Sequence, residues 1–181
     1  YGIEVKQCKT KEIWHPDVRL YEIYDQTKRL RGKFYLDLYA RPTKRGGAWM
    51  DECVQRRVKK NGEIQHPIAF ITCNSTPPTK KVPALFRHYD VETLFHEFGH
   101  GLHHMLTKID YAGVSGISGV EWDAVELPSQ FMENWCWEKE VLDKFAFHYE
   151  TKEKLPNSLF SKLKKTKNYN SGIQTLRQVE F

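Results

Sequence analysis

The sequence has no uninterrupted run of 18 apolar residues, so it predicts no membrane-spanning helix. Its four cysteines, Cys8, Cys53, Cys73 and Cys136, include no Cys-x-x-Cys pair. This spacing argues against a cysteine zinc site and a disulfide framework, and it is typical of reduced thiols in a cytoplasmic protein. No secretory signal is visible, although a truncated start at Tyr1 would hide one.

The chain also lacks a strong charge of either sign. Its 181 residues include 28 Lys and Arg against 23 Asp and Glu, which gives a formal net charge of +5. Part of this excess lies in the lysine-rich residues 152–167, which contain few aromatic residues and match no nucleic-acid recognition motif. A solvated helical face explains this run better than nucleic-acid binding does. We therefore expect neither a nucleic-acid partner nor a membrane partner.

The most informative feature that is present is His-Glu-Phe-Gly-His at residues 96–100. Histidines four residues apart on a helix project to the same side, so His96 and His100 can hold one zinc ion together. Glu97 lies about 100° further round the helix, where it can accept a proton from a water molecule beside the metal. The alternative, two histidines satisfied within a core, would place them on the apolar side of the helix. That side is formed by other residues: Val91, Leu94, Phe95, Phe98, Leu102, Met105 and Leu106.

A zinc site needs a third protein ligand, and His103 is the nearest candidate. It lies seven residues from His96, a rise of roughly 10 Å, which is too far for one ion in an unbroken helix. His103 is therefore predicted to support the site, face the substrate or lie on the polar surface. Glu126 is the better candidate, because the glycine-rich residues 112–119 let a second helix fold back. Such a close approach would also explain Gly99, since glycine within a helix costs about 1 kcal/mol.

Asp123 and Glu126 allow two interpretations. Asp123 could orient a ligating histidine while Glu126 binds the metal. The same spacing also fits a helix capping box, with Asp123 as the N-cap and Glu126 at the third position. The spacing alone leaves the two interpretations about equal.

These motifs, with Asp-Ala-Val-Glu-Leu-Pro-Ser-Gln at 123–130 and Glu-Asn-Trp at 133–135, resemble the M3 family of zinc metallopeptidases. Segments at residues 14–18, 32–39, 44–50 and 176–178 extend the resemblance along nearly the whole chain. It implies one zinc ion per chain, bound by His96, His100 and Glu126, with Glu97 acting on water. It also implies a metalloendopeptidase that hydrolyses internal bonds of short peptides. The resemblance favours Glu126 as a ligand, although a ligand role and the capping box are not mutually exclusive.

Apolar alternation predicts the remaining elements. Residues 17–24 and 33–40 are expected to form an antiparallel pair around a turn at 25–28, and residues 68–73 to form a third strand. Four helices are expected: about 90–107, about 124–146 with Pro128 near its start or at a kink, 158–169, and one from near Gln174. Strands followed by helices indicate an α+β fold. This is the order of a zincin-like lobe, with a small, mainly antiparallel sheet before the HExxH helix and further helices.

We expect the chain to be a partial catalytic domain, with a strand-rich part at about 1–78 and a metal-binding helical part at about 84–181. The helical spacing of Ile173, Leu176 and Val179 continues toward Phe181 without a stop signal. The resemblance implies that helical regions precede and follow this segment, the later one stabilising the oxyanion, and that the isolated chain is poorly active or inactive. The alternatives are a zinc-binding segment without appreciable activity and a basic binding module with an accidental motif.

The stretch Lys-Arg-Gly-Gly-Ala-Trp-Met at 44–50 also allows two interpretations. In zincins the substrate pairs as an extended strand with a sheet edge beside the metal, and Gly47 and Ala48 fit such an edge. Alternatively, the glycines serve a turn that needs their dihedral freedom, and Trp49 is ordinary core.

Overall fold

The structure is a computed structural model that describes residues 1–179. The predicted continuation of the last helix to Phe181 lies outside these residues. The chain divides into two compact units, Tyr1–Asn134 and Trp135–Phe181. The sheet and the helix that carries His96 belong to the first unit, so this unit positions the site.

The first unit is built on a five-stranded sheet. In chain order its strands are β1 (Glu4–Cys8), β2 (Arg19–Tyr24), β3 (Leu30–Tyr39), β4 (Trp49–Val54) and β7 (Ile68–Ser75). A short separate hairpin of β5 (Arg57–Val58) and β6 (Ile64–Gln65) lies between β4 and β7 in the sequence. Within the sheet the strands lie in the order β1-β2-β3-β7-β4. The β3–β7 pair is parallel and the other pairs are antiparallel. The predicted mainly antiparallel sheet is therefore confirmed.

The β2–β3 pair and β7 match the three strands predicted from the sequence, whereas β1 and β4 were not predicted. Both of these are the outer strands of the sheet. Outer strands carry polar side chains and need no continuous apolar run, so their alternation is weak. This is visible in the sequences Glu-Val-Lys-Gln-Cys of β1 and Trp-Met-Asp-Glu-Cys-Val of β4.

Helix α1 (His88–Met105) packs its apolar side against one face of the sheet. The buried core at this contact contains Ile23, Phe34, Ala69, Ile71, Leu102, Met105 and Met132. Full burial of an aliphatic side chain of this size contributes about 1.5 to 3 kcal/mol. The helix is thus held by its apolar side, as predicted, and its histidine-bearing side is left for the site.

The helix predicted over 124–146 is wrong as one continuous element. The structure has α2 (Leu127–Glu133), a 3₁₀ turn at Asn134–Trp137 and a short α3 (Lys139–Leu142). Pro128 lies in the first turn of α2, where its missing N–H costs nothing, so its predicted place near the helix start is confirmed. Glu138 is extended, with φ −100° and ψ 120°, and this interrupts the helix before α3.

The second unit contains α3, α4 (Asn157–Thr166) and α5 (Ser171–Val179). The helix predicted at 158–169 corresponds to α4, and the last helix begins three residues before Gln174. Strands followed by helices confirm the predicted α+β class. Within residues 1–179 the structure contains no helix that is both long and apolar enough to cross a membrane.

Candidate metal centre

Three side chains bring one donor atom each to a common point. Nε2 of His96 lies 3.2 Å from Oε2 of Glu126, and Nε2 of His100 lies 3.1 Å from the same oxygen. All three donors lie within 4.8 Å of one another. Donors bound tetrahedrally at 2.0–2.1 Å from a zinc ion are about 3.3 Å apart. Two imidazole nitrogens and one carboxylate oxygen at these separations fit a zinc ion.

Glu126 reaches the histidines because α2 lies very close to α1 at Gly99. A Cβ atom at Gly99 would lie 2.6 Å from the Cα atom of Ser129 and 2.7 Å from the carbonyl oxygen of Pro128. Both contacts are with backbone, which cannot rotate away as a side chain can. The predicted reason for a glycine within this helix, close approach of a second helix, is therefore confirmed.

Two residues that sequence reasoning missed hold the donors in place. The Ser129 hydroxyl, which is fully buried, donates to Oε2 of Glu126 over 2.7 Å. Oε1 of Glu133 lies 2.6 Å from Nδ1 of His96. Because an ionised carboxylate can only accept, Nδ1 carries the hydrogen of this bond, and Nε2 is the ring nitrogen that faces Glu126. Both partners lie on the same side of α2 as Glu126, three and seven residues further along, and this spacing is the signal that could have found them.

Asp123 does not occupy the place predicted for it. It is exposed, and its carboxylate makes no hydrogen bond to any residue in the described part of the chain. The backbone explains this position, because the N–H groups of Ala124 and Val125 both bond to the carbonyl of Glu121 and form a turn before α2. Glu126, not Asp123, is the N-cap of α2. The carboxylate that contacts His96 belongs to Glu133, and Nδ1 of His100 is buried without a hydrogen-bond partner among residues 1–179.

Glu97 lies beside the three donors in a different environment. It is 6% exposed, and the backbone N–H of Met50 lies close enough to its carboxylate to favour the charged form. Burial raises the pKa of Glu97, and the charge of Glu126 adds to this effect. His96 and the Met50 N–H act in the opposite direction but do not outweigh burial. A carboxylate with a raised pKa is a stronger proton acceptor than an exposed glutamate.

Two of the donors are held in the protonation states that a metal requires. Burial lowers the pKa of His100, so its imidazole is neutral at neutral pH. For Glu126, burial acts to raise the pKa, but the hydrogen bond from Ser129 and the nearby histidines outweigh it and lower the pKa. Metal ligands must be neutral imidazole and ionised carboxylate, and both conditions are met here.

A cavity of about 560 Å³ opens in front of the donors. Its lining includes Ala48 with the start of β4 and a set of apolar side chains, Ile117, Val120, Trp122 and Val125. Gly47 has a φ of 94°, which favours glycine, so the turn interpretation accounts for Gly47. Ala48 lines the cavity immediately before the outer strand of the sheet, as the edge interpretation requires.

His103 is not among the residues that line this cavity. It faces a separate cavity of about 220 Å³ beside Gly99, Leu102 and Met132. Burial lowers the pKa of His103. The structure therefore does not bring His103 to the three donors, in agreement with its distance along the helix.

Comparison with known proteins agrees with this geometry. A family model described as Peptidase family M3 matches residues 1–181. Oligopeptidase A of Escherichia coli (strain K12) is 61% identical over the whole chain, which covers 27% of that protein. Probable cytosolic oligopeptidase A of Arabidopsis thaliana is 45% identical over the whole chain, which covers 26% of that relative. Saccharolysin of Saccharomyces cerevisiae is 35% identical over 99% of the chain, which again covers 26% of that protein. The chain thus spans about a quarter of the length of these relatives.

Proposed function

Since the chain belongs to peptidase family M3, we propose that it provides the metal centre of a zinc-dependent peptidase acting on internal bonds of short peptides. The observation that carries this proposal is the meeting of three donor atoms beside Glu97, a buried carboxyl group that is not one of them. The printed names of the relatives, oligopeptidase A among them, support short peptides as substrates. In this proposal residues 1–181 form part of a catalytic domain.

The proposed ligands are His96, His100 and Glu126, with one zinc ion per chain. Two imidazoles and one carboxylate are a common ligand set of catalytic zinc, and three protein ligands leave a coordination position open. When bound, zinc polarises the scissile carbonyl group and makes water more acidic. Ser129 and Glu133 fix the orientations of Glu126 and His96, so the donor atoms need little rearrangement.

Glu97 is proposed as the general base. Its carboxylate accepts a proton from the attacking water and passes it to the departing amine of the peptide. Glu97 and Met50 line the same cavity as the three donors, with the Met50 N–H near the Glu97 carboxylate. Burial excludes competing water from Glu97 and raises its pKa toward the range in which both transfers are easy.

We propose that the substrate lies along the start of β4, with Ala48 on the sheet edge beside the metal. Strand β4 is paired with β7 on one side only. The backbone N–H and C=O of Ala48 have no hydrogen bond within residues 1–179, and Ala48 lines the cavity. An extended peptide would satisfy them by strand addition. Asp123 and His103 have no role in this proposal.

A cytoplasmic location is proposed on two grounds. The cysteines of the chain are free thiols, and one relative is named as a probable cytosolic enzyme. A reducing compartment keeps the exposed Cys53 as a thiol.

Zinc content tests the ligand assignment directly. We expect one zinc per chain, and we expect Glu126→Gln to hold zinc at least tenfold more weakly while the fold is retained. Glu121→Gln, an exposed glutamate in the preceding turn, is the matched control and should keep zinc as the parent does. Equal zinc affinity in Glu126→Gln and the parent would remove Glu126 from the ligand set. If the natural polypeptide that contains this sequence binds zinc but shows no zinc-dependent peptide cleavage, the chain has a metal site without the proposed activity. If it binds no stoichiometric zinc, the motif is accidental.

A further inference from the structure

Asn74 ties the loop before the edge strand to the neighbouring strand. Its side chain, near the end of β7, donates from Nδ2 to the carbonyl oxygen of Arg45 over 2.8 Å and to that of Gly47 over 2.6 Å. Both hydrogens of the Asn74 side-chain amide thus bond to backbone carbonyl oxygens of residues 45–47. This loop leads directly to Ala48 and then to β4.

The bond to Gly47 fixes the orientation of one particular peptide group. The C=O of Gly47 and the N–H of Ala48 belong to the same planar trans peptide unit, in which they point in opposite directions. Since the carbonyl points to Asn74 on the β7 side, the N–H of Ala48 points away from β7. It therefore faces the open edge of the sheet, and Ala48 lines the cavity in front of the donors.

Two residues after Ala48, at the start of β4, the N–H of Met50 lies near the Glu97 carboxylate. Residues two apart on a strand present their backbone groups to the same side, so Ala48 and Met50 form a pair along the edge. The Met50 N–H faces the Glu97 carboxylate. The Ala48 N–H has no hydrogen bond within residues 1–179, and the bond from Asn74 to Gly47 sets the direction of this N–H.

Lys44 anchors the other end of the same loop. Its side chain is 4% exposed, and its ammonium nitrogen lies within hydrogen-bond distance of the carbonyl oxygens of Asp37, Tyr39 and Cys73 and of the Asp37 carboxylate. The loop therefore has two fixed points on the sheet. Asn74 is the nearer one to Ala48, and within residues 1–179 no hydrogen bond joins it to the three donor side chains.

We propose that Asn74 is a positioning residue for the substrate. It holds the Gly47–Ala48 peptide group so that the Ala48 N–H can donate to a carbonyl of a bound peptide. This inference rests on the proposed function, because it needs a peptide on the edge strand. Asn74 acts through Ala48 and touches neither the reacting atoms nor the metal ligands.

A first experiment tests the clamp without peptidase activity. Trypsin cleaves after Arg45, an exposed residue whose own carbonyl Asn74 holds. Asn74→Asp removes both donors at nearly constant shape, and Asn74→Ala serves as a second variant without the added charge. Since each lost hydrogen bond is worth roughly 1 kcal/mol, we expect cleavage at Arg45 to be about tenfold faster or more in both variants.

The matched control is Gln65→Glu. The Gln65 amide also donates to a backbone carbonyl, that of Gln55, over 2.9 Å, but this bond lies just beyond the far end of β4. The same amide-to-carboxylate change there should leave cleavage at Arg45 at the parent rate. Site-specific rates are read by mass spectrometry of the released fragments.

A second experiment uses steady-state kinetics in the natural polypeptide that contains this sequence. A backbone contact that binds ground state and transition state alike changes KM and leaves kcat unchanged. We expect KM for a short peptide to rise about tenfold in Asn74→Asp and Asn74→Ala, with kcat within about threefold of the parent and zinc content unaltered. Gln65→Glu should match the parent in both constants.

The two experiments test the role of Asn74 separately from the proposed peptidase function. Unchanged cleavage at Arg45 in both variants overturns the clamp. Faster cleavage at Arg45 with unchanged KM overturns the positioning role. A parent that cleaves no peptide overturns the proposed function and with it this role, while the trypsin rates still decide whether Asn74 holds the loop.

Discussion

Two clusters of acidic and basic groups lie in the first unit, and they differ in how their charges are satisfied. In the Asp37 cluster, the Asp37 carboxylate accepts hydrogen bonds from Arg41, Lys44 and Trp14 at 2.8 to 3.0 Å. In the metal centre, His96, His100 and Glu126 direct their donor atoms at one point. The first cluster uses its lone pairs within the protein, and the second leaves them available.

The pKa values of the two buried acids, Asp37 and Glu97, are shifted in opposite directions. Burial alone would raise the pKa of Asp37, but the hydrogen bonds from Arg41, Lys44 and Trp14 outweigh it and lower the pKa to about 2. Burial raises the pKa of Glu97, and among residues 1–179 the Met50 N–H is the one hydrogen-bond donor that acts against this rise. A buried carboxylate whose lone pairs all accept hydrogen bonds is stabilised in its charged form and serves the structure. A buried carboxylate with few such bonds takes up a proton more readily and can serve in catalysis.

The largest effect is expected for Glu97→Gln in the natural polypeptide that contains this sequence. The amide cannot accept the water proton, so turnover should fall by about 10² to 10⁴ while zinc content stays the same. Initial rates on a short peptide, together with metal analysis, measure this. The exposed Glu121→Gln variant should cleave at the parent rate. Near-normal turnover of Glu97→Gln with its metal intact would place the base elsewhere.

Asp37→Asn should give the opposite pattern, a loss of stability without loss of the site. It leaves Lys44, which is 4% exposed, without its countercharge. Removing one partner of a buried ion pair typically lowers the free energy of unfolding by about 3 to 5 kcal/mol. Urea unfolding of the 181-residue chain measures this, with the exposed Asp51→Asn as the control. A similar loss of unfolding free energy in both variants would show that the ion pairs of Asp37 contribute no more to stability than an exposed aspartate does.

The sequence predicted the elements whose patterns are local. The apolar side of α1, the paired histidines and Gly99 follow from helical spacing, and the contact of Gly99 with Ser129 confirms the reasoning. The outer strands were missed because half of their neighbours are solvent, so their alternation is weak. The break between α2 and α3 was missed because the extended Glu138 carries no glycine or proline signal.

The site was predictable to a similar degree. The sequence predicts His96, His100 and Glu126 as the zinc ligands, the last of them favoured by the family resemblance, and the structure brings their donor atoms together. The partner of His96 is not predicted, because the spacing in the sequence points to Asp123 as the orienting carboxylate. Only the register of α2 places Glu133 against His96 and leaves Asp123 in an exposed turn.

The contribution of Asp37 to the free energy of unfolding should depend on pH. Because the pKa of Asp37 falls from 3.8 to about 2 on folding, its carboxylate stabilises the fold above about pH 4. That stabilisation, about 2.5 kcal/mol, should be lost as the pH falls from about 5 toward 2. Unfolding free energies measured across this range test it. The gap between the parent and Asp37→Asn should narrow as the pH falls, and a constant gap would contradict the assignment.

The smallest effect is expected for Glu133→Gln at the metal centre. The amide can still contact Nδ1 of His96 but no longer supplies a charge to orient the ring. Loss of such a supporting carboxylate typically weakens metal binding about 10- to 100-fold. Competition with a zinc chelator measures the affinity, with the exposed Glu140→Gln as the control. An unaltered affinity would mean that α1 alone fixes the orientation of His96.

The backbone contact at Gly99 has a consequence for how the metal comes and goes. Ser129 and Glu133 sit on α2, and α2 is held to α1 by Gly99 and by the buried Met132. The spacing between the ligand-bearing helices is therefore set by contacts that involve no metal. In zinc fingers, by contrast, the chain folds only when the metal binds. Here we expect a chelator to strip the ion from a protein that stays folded, and added zinc to restore the loaded state without a refolding step.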